Sequence, residues 1–430
     1  MRAWNGLQFP IPYGRLRVFP DQTAGFPRVL FFVVRRLALP IFTSAHGTKE
    51  FTMFDSQKIA RLNVPRWESV YRTELVPGVL SFIAVHDTTR GYALGGCRMV
   101  SYDNESQALT DVLRLSRGMT FKNAIADLPL GGGKAVIVCD PRLAGAERER
   151  VLEEFGRFVA WVNREENVYY TAEDMNTTVE DMHVVARVTG NIFGISVDPS
   201  PYTAWGVFQA MRHAVDFFAA DLFEGQGGLG GKSVLVQGLG KVGSTLVGHL
   251  TEAGARVVVS DIREESLNRI KGQFPAVEVV AADQVLSREA DVFAPCARGE
   301  VVTRANLADL RFKVLCGAAN NQLANTRVGK SLHGRGIVYC PDYVANMGGV
   351  CSIQYMEVER LSHEVTLQNI ERTVRKMLGL TFRAGLRNNL AFSESVDHVV
   401  KKIVWGKPQE NLAFNNHTLF PLACTAEPID

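Results

Sequence analysis

Lys122 and Lys134 are the side chains best placed to do chemistry in this sequence. They lie twelve residues apart. The first sits in Arg117-Gly118-Met119-Thr120-Phe121-Lys122-Asn123-Ala124. The second follows Gly131-Gly132-Gly133 and leads into the apolar run Ala135-Val136-Ile137-Val138. The run predicts burial of Lys134, and the glycines predict close approach of backbone and ligand. Two ammonium groups held near each other in a dry cleft lower each other's proton affinity. One can then hold a carboxylate while the other works as a neutral base. The plainer alternative is a glycine-rich turn carrying a surface lysine.

A second constellation lies further along. Gly238-Leu239-Gly240-Lys241-Val242-Gly243 matches Gly-x-Gly-x-x-Gly behind the apolar run Ser233-Val234-Leu235-Val236-Gln237 and ahead of a helical stretch. That context is what the motif requires. Gly238 is expected to make the tight turn, Gly240 to admit a pyrophosphate, and Gly243 to let helix and strand pack closely. The helix N-terminus offers free N–H groups and a favourable dipole to phosphate. Asp261 follows eighteen residues after Gly243, at the end of the next apolar run. A carboxylate there accepts hydrogen bonds from ribose hydroxyls and repels a 2′-phosphate, so NAD is expected over NADP. Arg263 close by opposes that preference.

These residues need a scaffold. Residues 79–85 read as a strand, 108–119 and 151–162 as amphipathic helices, and Thr177 or Thr178 as the cap of a further helix. Lys122 then falls near a helix end. After the break at Asp198-Pro199-Ser200-Pro201, residues 202–218 read as a long helix and 225–231 as a glycine-rich loop. Strands are predicted at 233–237, 256–261, 277–280, 291–294, 313–316 and 337–339, alternating with helices such as 242–250. That alternation predicts a parallel, doubly wound sheet. Residues 357–402 return to helical periodicity, and the tail 408–430 reads as loose. The expected division is a leader at 1–52, a substrate and oligomerisation domain at 53–198, and a Rossmann-like domain at 199–349. Helices at 350–407 return to the first domain.

Composition bounds the rest. The chain has 430 residues, enough for two cores, and 47 basic residues stand against 45 acidic ones. Such balance gives no basic field for nucleic acid or an anionic membrane, and no apolar run is long enough to span a bilayer. The seven cysteines include no Cys-x-x-Cys pair. They read as small buried hydrophobes in a reducing, cytoplasmic setting, and no metal site is expected. The first 52 residues are rich in arginine and poor in acids. Three readings stand for them: an organelle transit sequence, an unstructured extension, or an upstream start codon with Met53 as the true beginning, and the latter two are favoured over the first.

Several blocks in order carry a family resemblance. They are Ala93-Leu94-Gly95-Gly96-Cys97-Arg98-Met99, the Lys122 segment, Leu130-Gly131-Gly132-Gly133-Lys134-Ala135 and Thr171-Ala172-Glu173-Asp174. The glycine fingerprint, Phe293-Ala294-Pro295-Cys296-Ala297, Gly317-Ala318-Ala319-Asn320-Asn321-Gln322-Leu323 and Pro341-Asp342-Tyr343-Val344-Ala345-Asn346 complete the set. Over residues 82–349 the chain resembles the leucine/phenylalanine/valine dehydrogenase branch of the glutamate dehydrogenase superfamily, with leucine dehydrogenase nearest. The resemblance implies an α/β protein of two domains, a substrate domain and a doubly wound Rossmann-like NAD domain, with a cleft between them. It implies a homo-oligomer whose partners are small molecules: an L-amino acid, its 2-oxo acid and ammonia. The implied reaction is NAD-dependent reversible oxidative deamination.

By the same resemblance, Lys122 binds the substrate carboxylate and Lys134 acts on the water that attacks the imine. Asp174 exchanges a proton with the amino group, and Asn320 fixes the carboxylate or the cofactor. Gly95 joins the substrate set, and Leu94, Ala172, Val350 and Ile353 line the side-chain pocket. The implied cofactor set is Gly238, Leu239, Gly240, Lys241, Val242, Gly243, Asp261, Ile262, Cys296, Ala297 and Asn320. The four apolar pocket residues suit leucine, valine or isoleucine, because a charged side chain would be stranded there. Departures from the family pattern fall at Tyr92, at Met175-Asn176, at Met347, expected to add bulk near the cleft, and at Cys351-Ser352. They leave open an aromatic substrate, tryptophan or phenylalanine. A catalytically silent NAD-binding regulator is the alternative of another class, which retention of Lys122, Lys134 and Asp174 opposes.

Overall fold

The structure, a computed structural model, describes residues 58–406 and the backbone of Ala426–Glu427. The expectations for the leader 1–52, and for the tail apart from those two residues, lie outside the described part.

The first sheet contains β1 (Ala60–Leu62), β2 (Ser69–Val76), β3 (Val79–Asp87), β4 (Ala93–Leu94), β5 (Cys97–Val100), β6 (Gly131–Val138) and β7 (Tyr169–Tyr170). Its order is β1-β2-β3-β6-β4-β7, with β5 also paired to β6, and Ala426–Glu427 pairs antiparallel with β1. The β1–β2, β2–β3 and β3–β6 pairs are antiparallel, whereas β4 and β5 run parallel to β6. Helices α1 (Glu105–Ile125), α2 (Gly145–Val162) and α3 (Val179–Val185) accompany it.

Strand periodicity decides which side chain meets which helix. Phe82, Ala84 and Val136 pack with Ala108, Leu109, Val112 and Leu113 of α1. Ile83, Val85, Ala135 and Ile137 pack with Val151, Leu152, Phe155, Phe158 and Val159 of α2. Each fully buried Phe or Ile contributes about 1.5–3 kcal/mol. Lys134 shares the parity of Val136 and therefore faces the α1 side, while Lys122 stands in the last turn of α1. The two lysines meet because a period of two and a helix end converge.

The glycines ahead of Lys134 do something other than expected. They lie inside β6, not in a turn. A Cβ on Gly131 would come within 2.2 Å of the Asp87 carbonyl oxygen, on Gly132 within 2.1 Å of the Thr120 amide, and on Gly133 within 2.6 Å of the Tyr169 ring. Their missing side chains let strand, helix and ring close together, and no ligand is needed to explain them.

The second sheet is wholly parallel. It comprises β8 (Ser233–Gln237), β9 (Arg256–Ser260), β10 (Glu278–Val279), β11 (Ala290–Pro295), β12 (Phe312–Leu315) and β13 (Val338–Tyr339), in the order β10-β9-β8-β11-β12-β13. Each predicted strand is present, shifted by at most two residues. Around it lie α4 (Ser200–Phe217), α5 (Ala219–Leu222), α6 (Lys241–Glu252), α7 (Glu264–Gln273) and α8 (Thr326–Gly334). Strand order reverses between β8 and β11, so a crevice opens at their carboxyl ends.

The C-terminal helical stretch is broken where the sequence reading ran it together. After α9 (Asp342–Ala345) and α10 (Gly348–Ser352), a π-helical turn spans Ile353–Val358. Then come α11 (His363–Asn388) and α12 (Phe392–Trp405), separated by Asn389 in the left-handed region at φ 50°. Left-handed Asn satisfies the terminal carbonyls of α11. Trp405 donates its indole N–H to Asp87 Oδ2 at 3.0 Å and meets Phe121 edge-on, tying α12 to the first sheet. Met347 is fully buried in the core beside the cleft-lining residues Asn346, Gly349 and Val350, and does not itself line the cleft.

Candidate active site

A cleft of about 450 Å³ lies between the two sheets. Its walls bring together Lys122, Lys134, Asp174, Leu94, Gly95, Ala172, Asn320, Val350 and Ile353, together with Val242 from the glycine fingerprint. These residues come from α1, β4 and the loop after it, β6, the loop after β7, α6, the loop after β12, and α10 with the π-helical turn.

Lys134 is 5% exposed, and its Nζ lies 2.9 Å from Asp174 Oδ2. The same oxygen accepts from Arg98 Nε at 2.7 Å. Burial opposes ionisation of Asp174, but the two cations outweigh it and hold the carboxyl well below the usual carboxylate range. Asp174 is itself placed by its turn: its amide donates to Thr177 Oγ1 at 2.9 Å. Asn176, at φ 62°, completes the turn by donating to the Met99 carbonyl. Thr178 then caps α3 in a reciprocal box with Asp181. Asn176 is therefore a turn residue, in the left-handed region that Asn adopts more readily than most side chains.

Burial pushes the Lys122 ammonium below its ordinary range; Asp342 opposes this and the charge of Lys134 adds to it. The charge of Lys134 is thus felt at Lys122, and Lys134 itself has a carboxylate in direct contact. Asp342 is 8% exposed and receives the amides of Asn321 and Tyr343. Burial nevertheless raises its carboxyl above the usual value. Asn346 Nδ2 donates to Asn320 Oδ1 at 2.7 Å and to the Ala318 carbonyl at 3.0 Å. Two acceptors on one amide nitrogen fix which way Asn346 faces. They also turn the oxygen of Asn320 toward Asn346 and leave its NH₂ for other partners.

The apolar wall is tight. A Cβ on Gly194 would sit 3.4 Å from Ile353 Cδ1 and 3.7 Å from Ala172 Cβ, so this left-handed glycine is part of the pocket floor. Gly95 contributes backbone only: its amide donates to the Tyr170 carbonyl, and its carbonyl accepts from the Tyr169 hydroxyl. Arg98, Gly194, Asp342 and Asn346 were not assigned roles from sequence. Three of them fall inside the family-like blocks, but nothing in their local pattern reveals partners tens of residues away.

The fingerprint residues lie beside the cleft. Gly238 adopts φ 97°, and a Cβ there would press within 2.7 Å of the Ala297 side chain. A Cβ on Gly243 would meet the Gly238 carbonyl at 1.9 Å and Cys296 Cβ at 3.4 Å, so Cys296 and Ala297 back the loop. Gly240 faces open space and caps α6 with no side-chain hydrogen bond, leaving the first amides of the helix, from Lys241 onward, for an anion. Asp261 Oδ2 accepts from the Leu239 amide at 2.7 Å, and Oδ1 from the Arg263 amide at 2.8 Å. Burial opposes ionisation of Asp261, but these amides and the Arg263 charge hold its carboxyl below the usual range. Ile262 is 92% exposed, an apolar platform beside that carboxylate. Lys241 points outward to Asp198 at 3.3 Å. Open space at Gly240, free helix amides and an ionised Asp261 fit a dinucleotide.

Among the described residues no cluster of His, Cys, Asp and Glu could hold a metal ion, and no helix is long and apolar enough to cross a membrane.

Comparison with known proteins agrees with this geometry. Residues 71–191 match the family model for the Glu/Leu/Phe/Val dehydrogenase dimerisation domain, and residues 259–388 that for Glutamate/Leucine/Phenylalanine/Valine dehydrogenase. A leucine dehydrogenase from Bacillus subtilis is 43% identical over 310 residues, spanning 70% of this chain and 80% of its own length. A valine dehydrogenase from Streptomyces virginiae is 47% identical over 284 residues, 64% of this chain and 76% of its own. The crystal structure of L-tryptophan dehydrogenase from Nostoc punctiforme superposes with a TM-score of 0.68 at 33% identity, covering 79% of this chain and 96% of that one. With both family models matched in order, and with the two sheets and the cleft between them, the chain belongs to the glutamate/leucine/phenylalanine/valine dehydrogenase family of amino acid oxidoreductases.

Proposed function

We propose that the protein catalyses the reversible oxidative deamination of a branched-chain L-amino acid with NAD, giving the 2-oxo acid, ammonia and NADH. The observation that carries this reading is one cleft holding two lysines and an ionised aspartate against an apolar wall of Leu94, Ala172, Val350 and Ile353. NAD, held by the loop 238–243, Asp261, Ile262, Cys296, Ala297 and Asn320, supplies the hydride acceptor. Lys122 pairs with the substrate carboxylate, which relieves the penalty of its burial. Asp174 accepts from the substrate amino group and exchanges a proton with it. Once Cα has lost hydride, water adds to the iminium carbon. Lys134, as the neutral amine, takes a proton from that water; Asp174 hands a proton to the nitrogen, the C–N bond breaks as the carbonyl forms, and the hydroxyl proton leaves with ammonia.

Asp261 supports NAD over NADP, because a carboxylate fixed by two backbone amides repels a 2′-phosphate. The division at 53–198, 199–349 and 350–407 remains our domain assignment. The matched dimerisation domain supports a homo-oligomer, and six free thiols among the described residues support a reducing cytoplasm.

An NADH absorbance assay over leucine, valine, isoleucine, phenylalanine, tryptophan and glutamate tests the reading. Turnover greatest with the first three is expected. Preference for tryptophan or phenylalanine would overturn the substrate assignment, and NAD binding without any turnover would overturn the enzyme assignment.

A further inference from the structure

The cleft contains a cation that the reaction itself does not require. Arg98, at the second position of β5, is largely buried; its side chain is 15% exposed. Its Nε lies 2.7 Å from Asp174 Oδ2, and its Nη1 lies 3.3 Å from Asp111 Oδ2. Asp111, on α1, also accepts from the Tyr102 hydroxyl at 2.8 Å. The chain of contacts therefore runs Tyr102, Asp111, Arg98, Asp174, Lys134, and joins the loop after β5, α1, β5, the loop after β7, and β6.

Both cations that touch Asp174 use the same oxygen, Oδ2. Arg98 reaches that oxygen through Nε alone, but its planar guanidinium is itself held at Nη1 by Asp111, so it fixes where Oδ2 sits. The other carboxylate oxygen, Oδ1, is left for the ligand side of the cleft that Asp174 lines. Lys134 alone would not do this. A single ammonium on a flexible stem lets the carboxylate turn and take the proton donor of the substrate in either geometry. Asp111 and Tyr102 play the corresponding part for Arg98. A guanidinium with a carboxylate at each end cannot swing out to solvent without leaving the largely buried charge of Asp111 with only the Tyr102 hydroxyl.

We propose that Arg98, braced by Asp111 and Tyr102, is a positioning residue that fixes the Asp174 carboxylate so that Oδ1 receives the α-amino group of the substrate. The inference rests on the proposed role of Asp174 and adds its orientation. It makes a selective prediction. Loss of Arg98 should weaken recognition of the amino group and leave recognition of the carboxylate and side chain alone, because those belong to Lys122 and the apolar wall.

The test uses the full-length protein with Arg98→Gln, Arg98→Lys, Tyr102→Phe and, as control, Asp174→Asn. Two quantities are measured with the best substrate of the amino acid panel. One is kcat/KM. The other is the inhibition constant of the matching acid with hydrogen in place of the amino group, 4-methylpentanoate for leucine. Arg98→Gln is expected to lower kcat/KM about 100-fold, the loss that a misplaced reacting group brings, with inhibition by the des-amino acid within about twofold of wild type. Arg98→Lys should recover at least part of the loss, and Tyr102→Phe should show a smaller loss of the same selectivity. Near-normal kcat/KM in Arg98→Gln overturns the proposal, and so does equal weakening of both ligands, which signals a general collapse of the cleft. If Asp174→Asn is inactive while Arg98→Gln is normal, only the positioning role fails. If Asp174→Asn turns over normally, the reading of Asp174 fails with it.

Discussion

Replacing Lys134 with methionine separates chemistry from scaffold. The side chain is 7% exposed and pairs with Asp174 at 2.9 Å, while Asp174 keeps Arg98 at 2.7 Å. Methionine fills nearly the same volume, so no cavity opens. The carboxylate left behind retains one cation, and the desolvation of an ammonium is removed at the same time. Removing one partner of a buried pair costs about 3–5 kcal/mol when the other is left unpaired, and Asp174 still has Arg98, so the loss of stability should be smaller than that. Catalysis should suffer far more. A positioned proton acceptor contributes roughly 10²–10⁴ in rate, and each factor of ten is about 1.36 kcal/mol, so the variant should lose about 3–5 kcal/mol of transition-state stabilisation. Lys134 lies on β6, and the fingerprint lies between β8 and α6, so NADH affinity should not change. NADH production in steady state, NADH fluorescence on binding, and thermal unfolding measure the three quantities separately. Turnover within tenfold of wild type would show that water is activated elsewhere. A large drop in melting temperature would show that the lysine is mainly structural.

Gly240→Ala adds a methyl group into open space at φ −72°, so it should fold normally yet bind NADH at least tenfold more weakly. Gly243→Ala places a Cβ 1.9 Å from the Gly238 carbonyl and should reduce the melting temperature itself; equal behaviour of the two variants would refute the assignment of the pyrophosphate to Gly240. Asp261→Ser should narrow the ratio of kcat/KM for NAD over NADP at least tenfold; an unchanged ratio would remove Asp261 from cofactor choice. Burial, with the charge of Arg117, lowers His86 to about 4. The unfolded chain then binds more protons than the folded one between about pH 6.5 and 4. Stability from this residue is present above pH 6.5 and lost as pH falls through that window, by up to about 3 kcal/mol. His86→Gln should flatten the decline in chemical denaturation, and an equally steep decline would show that other groups dominate it.

The parallel sheet was legible because its strands are buried on both faces. Val234-Leu235-Val236 and Val257-Val258-Val259 are unbroken β-branched or aliphatic runs, and such runs have no other stable home in a chain with this helix spacing. The first sheet was legible only where a strand is long, as in β3. Strands β4 and β7 have two residues each, too few to show any period, and their existence depends on pairing with β6 and with each other. Joining α11 to α12 was a missed cap: Asn388-Asn389 followed by Leu390-Ala391 is the pattern of a left-handed helix end. The π-helical turn at Ile353–Val358 has no comparable local mark. It is held by tertiary contacts, in which Glu357 accepts the amides of Gly194, Ser196 and Val197 from a segment some 160 residues away.

The site itself divides along the same line. Lys122, Lys134 and the glycine fingerprint were readable because their signals are local: a strand, a helix end, a turn that only glycine makes. Yet the reason offered for Gly131-Gly132-Gly133 was mistaken. Their Cβ positions are filled by Asp87, Thr120 and Tyr169, not by a ligand. Gly132 explains how Lys122 reaches the cleft. By letting α1 descend onto β6 at Thr120, it brings the last turn of that helix, and with it Lys122, down to the side of the sheet that Lys134 faces. Glycine thus acts on the chemistry through the distance between two elements. A bulkier residue at 132 would raise α1 from the sheet, part the two ammonium groups and move Asp111 away from Arg98. The geometry of the proposed site is set by the packing of a helix on a strand, so residues with no reactive group control the spacing of those that have one.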